Sequence, residues 1–239
     1  MNYNTIPKAF NPPLRSSLYF IRKLLLQKIV QYSSHLQGKM LDFGCGAKPY
    51  KSLFTNVSEY IGVDYDSEGH SHANEHIEFF YDGKALPFDD ASFDSIFSSE
   101  VFEHIFNLEE IIPELHRVLQ TKGKIFITCP FVMPEHEVPI DYARYTQFAL
   151  KHLFEKNGFR IVQMDKSGDF LVAIHQMLVL YFSEHFLYKI PILGKTKAFT
   201  SNIRPILVFI FNALFYVAHA ILPKTNTLYL NNIVLAEKL

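Results

Sequence analysis

A chain of 239 residues, 49% hydrophobic and 20% charged, has apolar content for one sizeable core and is too short for two independent ones. A formal net charge of -1 excludes a global field that would gather nucleic acid. Two cysteines, Cys45 within a glycine turn and Cys129 ending an apolar run, are too few for a disulfide framework and form no metal-type pair, which fits a reducing compartment. Residues 1–13 are polar and proline-bearing, without the apolar core of a secretory signal, so the chain is expected in the cytoplasm.

Leu14, Leu18, Ile21, Leu25, Ile29, Tyr32 and Leu36 recur every three or four positions, the spacing of one helix face, and predict a leading helix over residues 14–36. Residues 39–43 form a short apolar run that ends in Gly44-Cys45-Gly46, after which Tyr50, Leu53 and Phe54 resume helical spacing. Strand, glycine turn and helix are expected there. Further strands are expected at residues 60–64, 77–81, 92–97, 124–129 and 159–164, with helices at 108–119 and 146–156. Such alternation implies a largely parallel sheet with helices on both faces, a three-layer α/β fold. Asn107 and Glu110 suggest a capping box, Thr146 an N-cap, and Asn157-Gly158 a helix stop. Pro113 is expected to kink or delay its helix.

In an open parallel sheet, ligands bind beyond the carboxyl ends of the strands where the winding direction reverses. Gly44 and Gly46 let the backbone approach a ligand there, and Asp42 can hold donors. Asp64, ending the second strand, can accept two ribose hydroxyls, and Asp82, after the third, an adenine amino group. Three acids suit a cationic cofactor better than a phosphate. The dinucleotide pattern G-x-G-x-x-G fails at its third position, which is Pro49, and no P-loop lysine is present.

With Leu41-Asp42-Phe43-Gly44-Cys45-Gly46, Ile61-Gly62-Val63-Asp64, Leu86-Pro87-Phe88, Phe93-Asp94-Ser95-Ile96 with Glu100 and Glu103-His104, and Leu115-His116-Arg117-Val118-Leu119, the chain resembles the class I S-adenosylmethionine-dependent methyltransferases over residues 38–165. The resemblance implies a Rossmann-like seven-stranded sheet whose last strand, residues 227–238, inserts antiparallel. It implies S-adenosylmethionine as cofactor, with Asp42, Gly44, Cys45 and Gly46 on the methionine side, Asp64 and Tyr65 at the ribose, Asp82 and Gly83 at the adenine, and Glu100 in the loop after the fourth strand. On this reading residues 1–239 form one domain, with a cofactor-binding core over 38–168 and an apolar helical insertion over 169–226. The turn before the fifth strand is Thr121-Lys122-Gly123-Lys124, where the family usually has proline-glycine-glycine.

A sulfonium methyl is already activated, so alignment and water exclusion are the main demands on the acceptor side, with a base where a hydroxyl proton must leave. Residues 130–145 follow the fifth strand at the ligand edge. His136 is the candidate base, since an unperturbed imidazole titrates near neutrality; Asp141 is its candidate orienter, and Arg144 the candidate holder of an anionic substrate group. The plainer alternative is a loop histidine bonded to backbone beside a structural Asp141–Arg144 ion pair. Tyr142, Tyr145 and His104 complete the candidate substrate residues. A similar loop, with Asp-Tyr and Arg-Tyr-Thr after its histidine, occurs in methyltransferases of bacterial surface-glycan gene clusters, so the expected partner is a glycan or small-molecule acceptor and no nucleic acid. His70, His72, Glu75 and His76 form an incomplete ligand run, read as a solvated loop, and no metal is expected.

Residues 170–182 and 205–222 are far more apolar than a soluble surface. A helix from Ile206 is marginal for a membrane crossing, and a single crossing would strand the last strand on the wrong side. A helical hairpin is expected instead, packed on the domain, contacting a membrane at its cytosolic face, or pairing two copies through residues 170–222. Asn212, Tyr216 and His219 share one face, available to substrate, another helix or water. Lys189, Lys195, Lys197 and Arg204 lie between the segments, where lipid headgroups could meet them.

Overall fold

A computed structural model describes residues 5–65, 76–189, 196 and 199–239. The leading pattern forms α1 (Tyr19–Ser33), which buries the foreseen Ile21, Leu25, Ile29 and Tyr32 together with Phe20 and Leu26. It is shorter than residues 14–36. Ser16 Oγ accepts the Leu18 N–H, and the carbonyls of Leu14 and Ser16 accept from the distant Asn212 amide, so this stretch is bonded sideways and not along a helix axis. At the other end Gly38, at φ 69°, turns the chain into β1 (Gly38–Phe43).

The helix expected after the glycine turn is a single 3₁₀ turn, Lys51–Leu53. Pro49 has no N–H to give, and Lys48 stands at φ 51°, so helical bonding is interrupted where a helix would begin. Tyr50, Leu53 and Phe54 are buried all the same. Then follow β2 (Val57–Tyr65), β3 (Phe79–Tyr81), β4 (Phe93–Ser99), α2 (Leu108–Val118), β5 (Leu119–Pro130), α3 (Gln147–Lys156), β6 (Phe159–Ser167), α4 (Phe170–Leu180), α5 (Arg204–Ile221) and β7 (Asn231–Lys238). The expected turn at Thr121–Lys124 is absorbed into β5, with Lys122 at φ 63° and a register shift against β4.

The helix ends divide. Thr146 caps α3 by accepting the Ala149 N–H at 3.2 Å, and Gly158, at φ 81°, ends it as foreseen. Asn107 caps nothing with its side chain; its amide donates to the Glu110 carboxylate at 2.9 Å. Pro113 does not delay α2, which starts at Leu108 and continues to Val118. The proline is exposed on the outer face, so the one intrahelical bond it forfeits leaves a carbonyl that water can satisfy.

The seven strands lie in the order β3-β2-β1-β4-β5-β7-β6, parallel except for β7, which inserts antiparallel between β5 and β6. Strand alternation sends neighbours to opposite faces. Leu41, Ile96, Ile125, Ile127 and Val234 pack under α2 and α3, while Met40, Phe97, Phe126, Ile233 and Leu235 pack under α1. Each such large side chain contributes about 1.5–3 kcal/mol by leaving water.

The apolar insertion forms a hairpin whose α4 packs Val172 and Ala173 on Phe20 and Ile21 of α1. A polar seam runs beneath α5: His175 Nε2 meets Asn212 Oδ1 at 2.9 Å, the Asn212 amide donates to Leu14 O at 2.7 Å, and His219 meets Asp169 at 2.7 Å. Of the face shared by Asn212, Tyr216 and His219, two members meet the domain and Tyr216 stays 62% exposed. Lys195 and Lys197 lie outside the described residues, as do His70, His72 and Glu75 of the histidine run. Arg204 bonds to Glu184 at 3.2 Å.

Candidate active site

The winding direction reverses at β1, which has β2 on one side and β4 on the other. Beyond its carboxyl end lies a cavity of about 530 Å³. All nine residues expected at the cofactor line it, as do His104, His136 and Tyr142. Arg144, Tyr145 and Asp141 do not.

The glycine turn is fixed by sterics and by one carboxylate. Gly44 sits at φ 70°, and a Cβ on it would lie 2.4 Å from Val101 Cγ2, so only glycine lets the turn pack on the loop after β4. Asp64 Oδ2 accepts the Gly46 N–H at 2.7 Å and Oδ1 accepts the Tyr65 N–H at 2.8 Å. Those bonds orient the carboxylate while each oxygen keeps a lone pair for a ligand hydroxyl. Cys45 lends backbone more than side chain, since its thiol packs against Gly62, where an added Cβ would stand 2.5 Å from Sγ. Burial, with Asp42 and Asp64 nearby, raises the thiol pKa and leaves it inert.

Asp42 is buried beneath the turn and accepts the Tyr60 hydroxyl; burial outweighs that bond and pushes its carboxyl up to about 7. Asp82 lies at the open end, its Oδ1 accepting the Lys84 and Ala85 N–H groups at 2.9 and 3.1 Å, bonds that hold its pKa below the usual range. Gly83, at φ 80°, lies under the Tyr65 ring. Glu100, at φ 57°, accepts from Thr128 Oγ1 at 2.9 Å and Asn231 Nδ2 at 2.6 Å, joining the ends of β4, β5 and β7; burial raises its carboxyl to about 7 against those bonds. The cavity also takes Phe10 and Arg22 from the N-terminal segment, with the guanidinium 5.0 Å from the Phe10 ring centre. No sequence pattern announced those two, because they reach the site only through the packing of α1.

The other wall comes from two loops. Phe102–His104 forms a 3₁₀ turn after β4, and His136 belongs to the loop after β5. The imidazoles of His104 and His136 meet edge to face, with centroids 4.8 Å apart. His104 Nδ1 contacts Ile140 O at 2.8 Å; His136 Nδ1 contacts Pro134 O at 3.2 Å and Asp141 Oδ2 at 3.3 Å. Asp141 thus stands where an orienter of His136 should, and its Oδ2 also accepts the His136 backbone N–H at 3.0 Å. Arg144 grips Asp141 with two bonds of 2.6 Å and reaches Met133 O, so it anchors the loop and does not line the cavity; the pair holds the Asp141 carboxyl down to about 2. Tyr145 packs on the hydrophobic core, and its carbonyl accepts from Asn232. Tyr142 pairs with the exposed Phe106 at the mouth, ring centres 5.5 Å apart. Glu103, for which residue pattern suggested no role of its own, is fully buried, neither of its carboxyl oxygens has a hydrogen-bond partner among the described residues, and burial with Glu100 nearby raises its pKa well above the usual range.

The donor set fits a cationic nucleoside. Asp42, Asp64, Asp82 and Glu100 surround the cavity against Arg22 and Lys84, and its size is that of a small-molecule site.

A family profile described as a methyltransferase domain matches residues 41–127. A curated Mycolicibacterium smegmatis protein, named a probable S-adenosylmethionine-dependent methyltransferase, is 28% identical over 133 residues, 51% of this chain and 52% of that protein. The match therefore spans about half the length of that relative. Among solved structures, phosphoethanolamine N-methyltransferase 2 of Haemonchus contortus, in complex with S-adenosyl-L-methionine, superposes with TM-score 0.52 at 17% identity, covering 90% of this chain and 52% of that one. The [4+2]-cyclase SpnF superposes with TM-score 0.54 at 18% identity, covering 91% and 81%. Identities this low speak for the fold alone, which hosts more than one activity. In sheet order, glycine turn and the profile match over residues 41–127, the chain is similar to the class I S-adenosylmethionine-dependent methyltransferases.

Proposed function

We propose that this protein transfers a methyl group from S-adenosylmethionine to a hydroxyl of a glycan or similar small polyhydroxyl acceptor carried on a lipid. The observation that carries the reading is one cavity with the acid-lined glycine turn at one end and the His104–His136 wall at the other. Bound there, S-adenosylmethionine would supply an activated methyl group on a cationic sulfur, with the neutral thioether as leaving group. The chain's own work is alignment and proton removal. Asp64 and the backbone of Gly44 and Gly46 hold the ribose and methionine portions, and Asp82 with Gly83 holds the adenine. Tyr142 and Phe106 offer an aromatic platform for a sugar face at the mouth. The proton of the acceptor hydroxyl leaves toward His136, whose orientation Asp141 sets.

A lipid-borne acceptor is favoured by α5. Residues Ser201–Ile221 have mean hydropathy 1.6 with 11% buried, longer than the helix expected from Ile206, and Ile210, Leu214 and Val217 face outward. The contacts of Arg204, Asn212 and His219 tie this helix to the domain along its length, and β7 follows inside the sheet, so α5 suits lying in a cytosolic membrane surface and not crossing it. Lys224, exposed just beyond it, suits anionic headgroups. The same platform and apolar face would accept a quinone-like ring.

Incubation of the full chain with methyl-labelled S-adenosylmethionine and fractionated envelope and cytosolic extracts tests the assignment. An alkali-stable methyl ether on an envelope glycan supports it, label on a phenolic ring moves it to the quinone reading, and label on nitrogen or in no product overturns it.

A further inference from the structure

The His136 edge contains a fault in its hydrogen bonding. Glu103 is 0% exposed, and neither of its carboxyl oxygens has a partner among the described residues. Its Oε1 is aimed at two imidazole nitrogens, His104 Nε2 at 3.6 Å and His136 Nε2 at 3.8 Å. Both separations exceed the 2.7–3.2 Å typical of a hydrogen bond.

The contacts at Nδ1 set what the two rings present to Glu103. His104 Nδ1 lies 2.8 Å from Ile140 O, and His136 Nδ1 lies 3.2 Å from Pro134 O and 3.3 Å from Asp141 Oδ2. Those oxygens only accept, so in each neutral ring Nδ1 carries the proton and Nε2 presents a lone pair. With the Glu103 carboxyl ionised, three acceptor atoms converge, and even a protonated carboxyl would be too far from either Nε2 for a hydrogen bond. The residues come from two loops, the turn after β4 and the loop after β5, so the convergence is a product of the fold and invisible to spacing along the chain.

We propose that Glu103, His104 and His136 bind a divalent transition-metal ion at the acceptor end of the cavity. The three donor atoms lie within 4.8 Å of one another. Two ligands each about 2.1 Å from one ion stand roughly 3.0–3.4 Å apart when adjacent and about 4.2 Å when opposite, so the Glu103 pairs need to close by about 0.2–0.8 Å and the widest pair by about 0.6–1.8 Å, within reach of rotation of side chains on two loops. Two imidazoles and one carboxylate select zinc, manganese, cobalt or ferrous iron over magnesium or calcium. Glu137 Oε2, 3.8 Å from His104 Nε2, can supply a fourth ligand. His104, His136 and Glu137 line the cavity, so a coordination position opens toward the acceptor, as in catalytic and not structural sites. Ile140 O and Asp141, itself clamped by Arg144 at 2.6 Å, are the outer partners that ligating histidines require.

The chemistry of this site rests on the proposed transfer, although the ion site itself stands on the cluster alone. An acceptor hydroxyl bound to such an ion through oxygen would lose its proton more readily: the O–H bond would break, the electron pair would stay on oxygen, and the proton would pass to water. With an ion bound, His136 would be a ligand in place of the proton acceptor described above, and the ion would acidify the hydroxyl.

The test uses the full chain freed of metal with EDTA and titrated separately with Mn²⁺, Co²⁺ and Zn²⁺ by calorimetry, with Co²⁺ visible absorption as a second readout. One ion per chain at micromolar affinity is expected. Glu103→Gln and His136→Gln should each weaken it by about tenfold or more while keeping the wild-type melting temperature and S-adenosylmethionine affinity. No binding of any of the three ions into the millimolar range, or undiminished binding in both folded variants, overturns the site. A parallel titration with S-adenosylmethionine separates the two readings: cofactor binding without metal binding refutes this inference alone, and metal binding without cofactor binding refutes the transfer reading alone.

Discussion

Replacing Asp64 by Asn keeps the shape of the side chain and removes its charge and one acceptor. In the wild type Oδ2 takes the Gly46 N–H at 2.7 Å and Oδ1 the Tyr65 N–H at 2.8 Å, so the amide of the variant must aim its NH₂ at one of two N–H groups. One bond to a charged acceptor is lost, worth about 1.5–3 kcal/mol, and the turn loses its brace. The ligand loses more, because the remaining lone pairs that would receive its two ribose hydroxyls are halved and the carboxylate no longer faces a cation. A total of about 3 kcal/mol corresponds to roughly a hundredfold weaker S-adenosylmethionine binding. Calorimetric titration of wild type and Asp64→Asn, with melting temperatures measured alongside, decides it. A folded variant that binds within twofold of wild type would refute the assignment of Asp64 to the cofactor.

Four further outcomes follow from the geometry. His136→Gln should cut methyl transfer by about a hundredfold or more with cofactor affinity unchanged, measured as S-adenosylhomocysteine release; equal rates would remove His136 from the chemistry. Gly44→Ala should destabilise the fold because a methyl group would collide with Val101 at a backbone angle alanine rarely adopts, and Val101→Ala should restore only the part due to the collision, measured by denaturant unfolding of the single and double variants. Ile210→Ser with Leu214→Ser should abolish flotation with anionic liposomes and leave cofactor binding intact; undiminished flotation would place the membrane contact elsewhere. Glu114 has its pKa lowered by the Arg117 pair and the Leu86 N–H, so its contribution is fully present above the unfolded carboxylate value near 4.3 and fades as pH falls through the lower folded value. Glu114→Gln should therefore lose stability at neutral pH and show a shallower acid decline, with identical acid transitions contradicting the linkage.

The parts of the molecule legible in its sequence are those built from local pattern. Apolar runs ending in Asp42, Asp64 and Asp82 marked strand ends that do converge on one cavity, because the period of a strand and the reversal at β1 leave the chain few alternatives. Thr146 and Gly158 marked both ends of α3 for the same reason. Features decided by distant contacts were hidden. Residues 14–18 carry helical spacing yet are bonded to Asn212 across the hairpin, and Pro49 with Lys48 reduces a helix-like pattern to one turn. The loop after β5 lines the cavity through His136, Glu137, Ile140 and Tyr142, but which of its groups faces inward depends on the Asp141–Arg144 clamp, which takes Arg144 out of the cavity and leaves His136 in it. Glu103 was legible only as part of a motif; its isolation between two imidazoles needs three dimensions.

The central claim is that a methyl group leaves S-adenosylmethionine from this cavity for an acceptor oxygen. Incubating the wild-type chain with ¹³C-methyl S-adenosylmethionine and the envelope fraction, while mass spectrometry follows S-adenosylhomocysteine and the labelled product together, tests it most directly. The account predicts that both rise in equal amounts, with the label in an O-methyl group, and that Asp64→Asn suppresses both. S-adenosylhomocysteine at the level of a protein-free control, or formed equally by Asp64→Asn, would contradict it.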